Sequence, residues 1–342
     1  MLTCRPALCK DCSVIAMLQF NWVGWSFVLL FVSGTVVMLA SYFRLVQGSK
    51  AGRQRLIDSI DLPRTRELRA RAFAARYGHK RDIDFPEAKR LLREAYSRGD
   101  KLAGMQLQRL LYFDQGMSAA RESERIFHDC RDALLELVKL SHPEANFLFC
   151  NTCGMHSMDE IAMMYETESL FEACDAGFVP AWLLRGDIES DPADGCDPDE
   201  AMLWYRKAAD EGWLAGRTGV AKVLCDPAYS GFDPAKGIAM LRECAARTDS
   251  HAMQLLARML LDDELGHYDP EEARQWLARA VKLGEYYACI ELAILHRDGT
   301  GGPVDIVEAR RLLRIATQFS FDSEARKLLS ELDEPSGTGT SE

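Results

Sequence analysis

The residues best suited to chemistry lie in one short stretch, CNTCGMH at 150–156. Cys150 and Cys153 are spaced to share one face of a helix end, and His156 follows after a glycine. Such groups can hold zinc in a tetrahedral site. Further candidate ligands stand upstream, at His128, Cys130 and His142. Because no second C-x-x-C completes the set, a metal-binding or redox-sensing regulator is the alternative hypothesis and not the leading one.

Other catalytic patterns are absent from the sequence. It contains no phosphate-binding loop, no zinc-protease motif and no nucleophile elbow. The tripeptide His296-Arg297-Asp298 resembles a kinase catalytic sequence, but nothing else of a kinase accompanies it. The sequence therefore predicts a protein that is not an enzyme, with no catalytic residues and no cofactor.

The cysteines do not indicate a disulfide framework. There are 11, an odd number, and they do not recur at a constant phase of the repeat described below. We expect free thiols that pack as small apolar residues, which favours a reducing compartment.

The charge is unevenly distributed along the chain. The net charge of -11 is the sum of +1 for residues 1–43, +8 for residues 44–101 and -20 for residues 102–342. The chain thus has a basic collar followed by an acidic body. An acidic surface of this size repels phosphate backbones, so nucleic acid is excluded as a partner.

An apolar segment precedes the basic collar. Trp22 to Phe43 comprises 22 residues without a charge, and aromatic residues stand at both of its ends. A helix of this length measures about 33 Å and crosses a bilayer core of about 30 Å. We predict a transmembrane helix at 22–43. Residues 1–21 form an N-terminal extension, which lies largely upstream of the true start if translation begins at Met17.

Positive charges follow the apolar segment rather than precede it. Arg44, Lys50, Arg53 and Arg55 come within a dozen residues of its end. The positive-inside rule therefore predicts a single-pass protein of the inner (cytoplasmic) membrane, with its C-terminal body in the cytoplasm. The basic region 44–84 is expected to contact anionic lipid. A cleaved signal peptide fits less well because the apolar run is long, and a periplasmic or luminal adaptor with inverted topology remains an alternative.

The rest of the chain repeats itself about every 36 residues. Asp197-Pro198, Asp233-Pro234 and Asp269-Pro270 recur at this spacing, and Asp305 continues the series. Each Asp-Pro pair suits the start of a helix, where Asp caps free amides and Pro needs no donor. The first helix of each unit is predicted to end at position 99, 141, 177, 212, 248, 284 or 320.

These signals predict an all-α fold of about seven stacked two-helix repeats. Gly at the helix-ending position accepts the left-handed conformation, and a small residue four positions later lets the second helix approach the first. The interval of 42 residues between positions 99 and 141 indicates one enlarged unit at about 118–158. We place the array at 85–332, after a basic helix at Leu62–Tyr77 that could cap it on the membrane side. A disordered tail follows at 333–342.

Two stretches carry a family resemblance. AMLWYRKAADEG at 201–212 and ELAILHRDGTGGPVDIVEARRLLRIA at 291–316 resemble the Sel1-like repeat family, a branch of the tetratricopeptide superfamily. The resemblance implies an α/α superhelix that acts as an adaptor in assemblies, often at membranes, without shared catalytic residues. Its motif positions are Trp204, Tyr205, Lys207, Ala208, Ala209 and Gly212, then Gly299, Gly301, Val304 and Asp305, with His296 in place of the family's tyrosine.

The leading functional prediction is a membrane-anchored scaffold that presents the helical repeat surface to a protein partner. The sequence does not identify that partner. Trp204, Tyr205 and Trp276 suggest a peptide groove, but their helical spacing beside alanines is more typical of the core between repeats. Acidic loops such as 187–200 and 261–266 are expected to be solvated, although a row of such loops could also receive a basic partner.

Overall fold

The structure, a computed structural model, divides into two units, Met1–Ser59 and Ile60–Glu342. The described residues are 50–112, 117–153, 169–191, 197–317 and 323–333. The predicted extension 1–21, the predicted membrane helix 22–43 and tail residues 334–342 lie outside them. Within the described ranges, no helix is long and apolar enough to cross a bilayer.

The described residues form helices joined by turns. Helix α1 (Lys50–Ile60) and helix α2 (Pro63–Tyr77) come first, and pairs of helices follow, which we number as hairpins 1 to 7. The pairs are α3 (Phe85–Ser97) with α4 (Lys101–Tyr112), α5 (Met117–Val138) with α6 (Pro143–Cys153), helical residues 169–175 with α7 (Val179–Glu189), α8 (Pro198–Asp210) with α9 (Leu214–Leu224), α10 (Pro234–Ala246) with α11 (Ser250–Leu261), α12 (Pro270–Lys282) with α13 (Tyr286–Asp298), and α14 (Ile306–Ala316) with α15 (Ser323–Asp333).

Aspartates start the first helices of the regular hairpins. The carboxylate of Asp233 accepts the amide of Lys236 at 3.1 Å, and that of Asp269 accepts the amide of Glu272 at 2.9 Å. Asp84 caps α3 in the same way. Each such cap satisfies an amide that has no partner inside the helix and stabilises the helix by about 1 kcal/mol.

Each described hairpin turn contains a residue in the left-handed conformation. These residues are Gly99, Ser141, Gly177, Gly212, Thr248 and Gly284. They occupy six of the seven positions named from the sequence, and residue 320 lies outside the described ranges. A β-carbon at Gly216 would lie 2.6 Å from the amide nitrogen of Ala209, so the two helices of hairpin 4 pack backbone to backbone.

The enlarged unit has a simple cause. Helix α5 is 22 residues long, whereas α3, α8, α10 and α12 are each 13 residues long. The first helix of hairpin 2 is therefore longer than these helices by more than two helical turns. The connection between the two helices of hairpin 2 still has the left-handed residue that the other hairpins share.

The second helices of neighbouring hairpins contact one another as well as their own first helices. Contacts join α4 with α6, α6 with α7, α7 with α9, and α9 with α11. We call the face that these helices form the inner face. At its edge lie the hairpin turns and the first turns of the second helices, residues 99–102, 141–144, 177–180, 212–215, 248–251 and 284–287, which we call the inner rim.

Candidate functional site

A single segment of the chain lies along the inner rim of five successive hairpins. This segment, residues 61–84, consists of α2 with the residues that flank it, and we call it the strap. Its contacts proceed in order, from Asp100 in hairpin 1 to Thr248 in hairpin 5. The strap is therefore a polypeptide bound on the inner rim within the same chain.

The first strap contacts form a buried cluster of charges around Arg69. The Arg69 side chain is only 4% exposed, and it forms ion pairs with Asp61, Asp100 and Glu144. The Thr65 hydroxyl also donates to Asp100, at 2.6 Å. Because Asp100 caps α4 and Glu144 lies in the first turn of α6, the cluster joins the strap to hairpins 1 and 2.

The charges in this cluster perturb one another. Burial opposes the charged form of Asp61, but hydrogen bonding to His142 and the charge of Arg69 hold its pKa well below the usual range. Burial raises the pKa of Glu144, and the charges of Asp61 and Asp100 add to this effect, whereas the charge of Arg69 opposes it. The cluster is thus fully paired only while Arg69 is present.

Aromatic contacts replace the charges farther along the strap. The ring of Phe73 meets that of Phe178, the residue before α7, edge to face at 5.4 Å. The rings of Tyr77 and His79 both contact Trp213, the residue before α9, and the His79 ring stacks on it at 4.6 Å. The strap thus places aromatic rings against the aromatic residues that precede the second helices of hairpins 3 and 4.

After α2 the strap becomes extended and pairs with the rim through its backbone. The amide of Lys80 donates to the carbonyl of Gly212 at 3.1 Å, and the amide of Leu214 donates to the carbonyl of Gly78 at 3.2 Å. These two bonds form an antiparallel β-bridge between His79 and Trp213.

The strap ends at hairpin 5. Asp82 forms an ion pair with Arg247 at 3.0 Å, and the Thr248 hydroxyl donates to the carbonyl of Ile83 at 2.8 Å. Sequence reasoning interpreted α2 as a terminal cap and missed this path. The signal that could have revealed it is the four-residue spacing of Thr65, Arg69, Phe73 and Tyr77, which places one contact residue on the same helix face at each turn.

A cleft of about 230 Å³ opens beside the end of the strap. Its walls come from the strap, from α3, from α8 and from the second helices of hairpins 3 to 6 with the residues that precede them. They include Arg76, Tyr77, Ile83, Phe85, Leu183, Asp187, Tyr205, Ala215, Thr218, Gly219, Lys222, Asp249, Ser250, His251, Leu255 and Glu285.

The polar groups of the cleft are held in place by hydrogen bonds. The Tyr205 hydroxyl donates to Asp187 at 2.6 Å, the Thr218 hydroxyl donates to Asp249 at 2.6 Å, and the Lys222 ammonium donates to Ser190 at 2.8 Å. Burial raises the pKa of Tyr205. The cleft combines apolar walls with fixed polar groups, as binding sites commonly do.

The aromatic residues singled out in the sequence have two kinds of environment. Tyr205 is 2% exposed and packs in the core between hairpins 3 and 4 while its hydroxyl reaches the cleft. Trp204 and Trp276 are half-buried on first helices, where each donates its indole N–H to a glutamate one turn earlier. Neither tryptophan lines the cleft.

The structure describes most of the residues considered for a metal site. Cys130 is fully buried, burial raises its pKa to about 12, and His142 contacts Asp61 in the Arg69 cluster. Cys150 lies in α6, Cys153 is its last residue, and His156 falls outside the described ranges. No group of three or more metal-binding side chains occurs among the described residues.

The other thiols that the structure describes are buried. Burial raises the pKa of Cys225 to about 12 and the pKa values of Cys174 and Cys289 to about 11. At neutral pH these side chains are therefore neutral thiols that fill the core, and they are poor nucleophiles.

The hairpins themselves identify the family. The sequence profile of the Sel1 repeat matches residues 72–100, 181–213, 250–285 and 287–318. The chain contains four Sel1 repeats. The first matched repeat begins at residue 72, inside α2, so the second half of the strap helix is itself part of a repeat.

Solved structures with a similar fold include three bacterial proteins. A protective antigen of uropathogenic Escherichia coli with an SLR fold is 16% identical, with a TM-score of 0.44 over 82% of this chain. This chain spans 59% of that antigen's length. A Sel1 repeat protein from Oxalobacter formigenes is 20% identical over 83% of this chain and 92% of its own, with a TM-score of 0.42.

The third is a putative Sel1 repeat protein from Klebsiella pneumoniae. It is 18% identical over 58% of this chain and 97% of its own, with a TM-score of 0.43. No curated protein matches this chain in sequence.

The Arg69 cluster gives a prediction about stability. We expect Arg69→Met to lower the free energy of unfolding by about 3–5 kcal/mol, because three buried carboxylates lose their common partner. Arg66→Met is the matched control, since Arg66 pairs with Asp61 from a side chain that is 44% exposed; we expect a loss of about 1 kcal/mol or less. Chemical denaturation of both purified variants measures the difference. Equal losses would show that the buried cluster does not hold the strap.

Glu144 gives a second prediction, on pH dependence. A pKa raised in the folded state contributes stability that is complete below the unfolded pKa and is lost as pH rises through the folded pKa. The pKa of Glu144 is raised from 4.5 by burial, and Glu144→Gln removes its titration. Relative to the wild type, the variant should therefore gain stability as pH rises from 4.5 to 8. Denaturation midpoints at several pH values test this, and a constant difference would contradict it.

Proposed function

We propose that this protein is a membrane-tethered scaffold that binds a protein partner on its inner rim. Sel1 repeat proteins are in general protein-interaction scaffolds. The observation that supports the proposal is the strap itself, because residues 61–84 occupy the rim through ion pairs, ring contacts and backbone hydrogen bonds. A surface that makes all three kinds of contact with one polypeptide segment has the chemistry to bind another.

The cleft is the part of this binding surface that can discriminate between partners. It lies where the strap ends, and its walls combine apolar side chains with Asp187, Asp249 and Glu285. The strap supplies Tyr77 and Ile83 to the same walls. A partner that enters the cleft therefore contacts both the strap and the hairpins, so the docked strap completes the site.

The membrane tether is supported by the sequence. The uncharged segment 22–43 is long enough to cross a bilayer, and basic residues follow it. We propose a single-pass protein of the inner membrane with the repeats in the cytoplasm. The basic region 44–84 then faces anionic lipid, apart from the strap residues that are committed to the rim.

Site-specific photo-crosslinking in cells tests the binding surface. A photoreactive residue replaces either His251, which is exposed in the cleft, or Leu203, which is 54% exposed on a first helix. We expect a discrete crosslinked protein at position 251 that is absent at position 203. The same products at both positions, or products at 203 alone, would contradict binding at the inner rim.

Membrane extraction tests the tether. The full chain should remain with membranes after an alkaline wash, and a chain that begins at residue 47 should be released. In a chain whose Cys4, Cys9 and Cys12 are replaced by serine, a cysteine introduced at Leu203 should resist a membrane-impermeant thiol reagent in intact cells and react after lysis. Release of the full chain by the wash would refute anchoring, and labelling in intact cells would refute the cytoplasmic orientation.

A further inference from the structure

We propose that the inner rim of hairpin 6, with the adjoining cleft, binds a basic extended segment of the partner. This inference rests on the proposed function and names the chemistry of the partner. It follows from a comparison of two equivalent turns. One of them is covered by the strap, and the other lies just beyond the strap's end.

The turn of hairpin 4 shows how the rim binds extended backbone. The carbonyl of Gly212 and the amide of Leu214 bond to the strap on either side of His79. Gly284 and Tyr286 hold the corresponding positions in hairpin 6. The two turns have the same left-handed geometry, with φ of 91° at Gly212 and 87° at Gly284. The amide of Tyr286 opens α13, so it has no acceptor inside its own helix.

The two turns differ in what covers them. A β-carbon placed on Gly212 would lie 3.3 Å from the side chain of Lys80 in the strap, whereas one on Gly284 would meet nothing within 4 Å. Leu283 and Tyr287 flank Gly284 and are 44% and 52% exposed. Hairpin 6 thus continues the rim with its backbone accessible and with two large apolar side chains beside it.

The residue before each second helix determines which side chain of a bound segment the turn can contact. In hairpin 4 this residue is Trp213, and it stacks on His79. In hairpin 6 it is Glu285, whose carboxylate accepts a bond from Ser250 at 3.1 Å and keeps further acceptor sites. A lysine or arginine in the place of His79 would pair with Glu285 and lay its apolar stem along Leu283 and Tyr287.

The surroundings favour a cation. Asp249 and Glu285 both line the cleft, and the body of the chain carries a net charge of -20 from residue 102 onward. The basic residues Arg76, Lys222 and His251 also line the cleft, on the strap and on hairpins 4 and 5, and the Lys222 ammonium donates to Ser190 at 2.8 Å. The basic residue nearest in sequence to the turn of hairpin 6 is Lys282. The cleft walls at Tyr77, Ile83 and Leu255 can take an apolar side chain next to the partner's cation. The partner segment is therefore basic and extended, with one large apolar residue beside its basic residue.

The test uses an acetylated and amidated peptide that copies strap residues 73–81, FAARYGHKR, because this sequence combines basic and aromatic residues. The control peptide has glutamate in place of Arg76, Lys80 and Arg81. Binding to the purified full chain is measured by calorimetry. We expect saturable one-to-one binding of the basic peptide, weaker at higher salt, and no binding of the control peptide.

Variants of the chain locate the bound peptide. Glu285→Lys should weaken binding at least tenfold, and Glu271→Lys, on the first helix of the same hairpin, should leave it unchanged. Thermal unfolding shows whether each variant is folded, and Glu285→Gln gives a milder second variant. Equal binding to both lysine variants, or no binding at all, overturns the proposal.

Two further outcomes are informative. If Trp213→Ala abolishes peptide binding and Glu285→Lys leaves peptide binding unchanged, the peptide replaces the strap on hairpin 4. This result also overturns the proposal. If the peptide fails while crosslinking at position 251 still captures a partner, the binding surface stands and only the basic chemistry is refuted.

Discussion

The inner rim depends on one backbone constraint, the left-handed residue that ends each first helix. At this residue the chain leaves one helix and starts the next within a few positions, so each second helix begins at a fixed place relative to its partner. Glycine adopts this conformation without cost, and Ser141 and Thr248 adopt it with some strain. Because the same turn recurs in each described hairpin, the starts of the second helices form a regular row. The strap follows this row.

The contacts along the row change in character while its geometry stays constant. Asp100 and Glu144 present carboxylates to Arg69, whereas Phe178 and Trp213 present rings to the strap. Burying Arg69 with its carboxylates contributes little net stability, since desolvation offsets most of the attraction. What the cluster contributes is register, because Asp100 and Glu144 belong to two different hairpins and both pair with the single guanidinium of Arg69. The ring contacts with Phe178 and Trp213 then add stability, and the position of the strap does not have to depend on them.

The caps and turns of the hairpins could be predicted from the sequence, and the long-range contacts of the strap could not. The Asp-Pro pairs and the glycines recur every 36 residues because each hairpin solves the same capping problem, and the Sel1 resemblance is confirmed. The strap contacts join residues 165 positions apart, as between Ile83 and Thr248, and no period records such a pairing. Of the acidic residues of the cleft, only Asp187 lies in an acidic stretch noted in the sequence. Nothing in the sequence indicates that Asp249 and Glu285 line the same cleft, because their convergence depends on how the hairpins stack.

The strap also explains why the site is uneven along the array. A free row of second-helix starts would offer several equivalent turns to any extended segment. Occupation of hairpins 1 to 5 by residues 61–84 removes most of these turns and supplies Tyr77 and Ile83 as new walls of the cleft. The cleft is thus the region of the repeated surface where a bound segment can contact both the strap and the hairpins. In the proposed function, selectivity for a partner depends on the residues that are not repeated, Glu285 and Tyr287 among them, and less on the repeat itself.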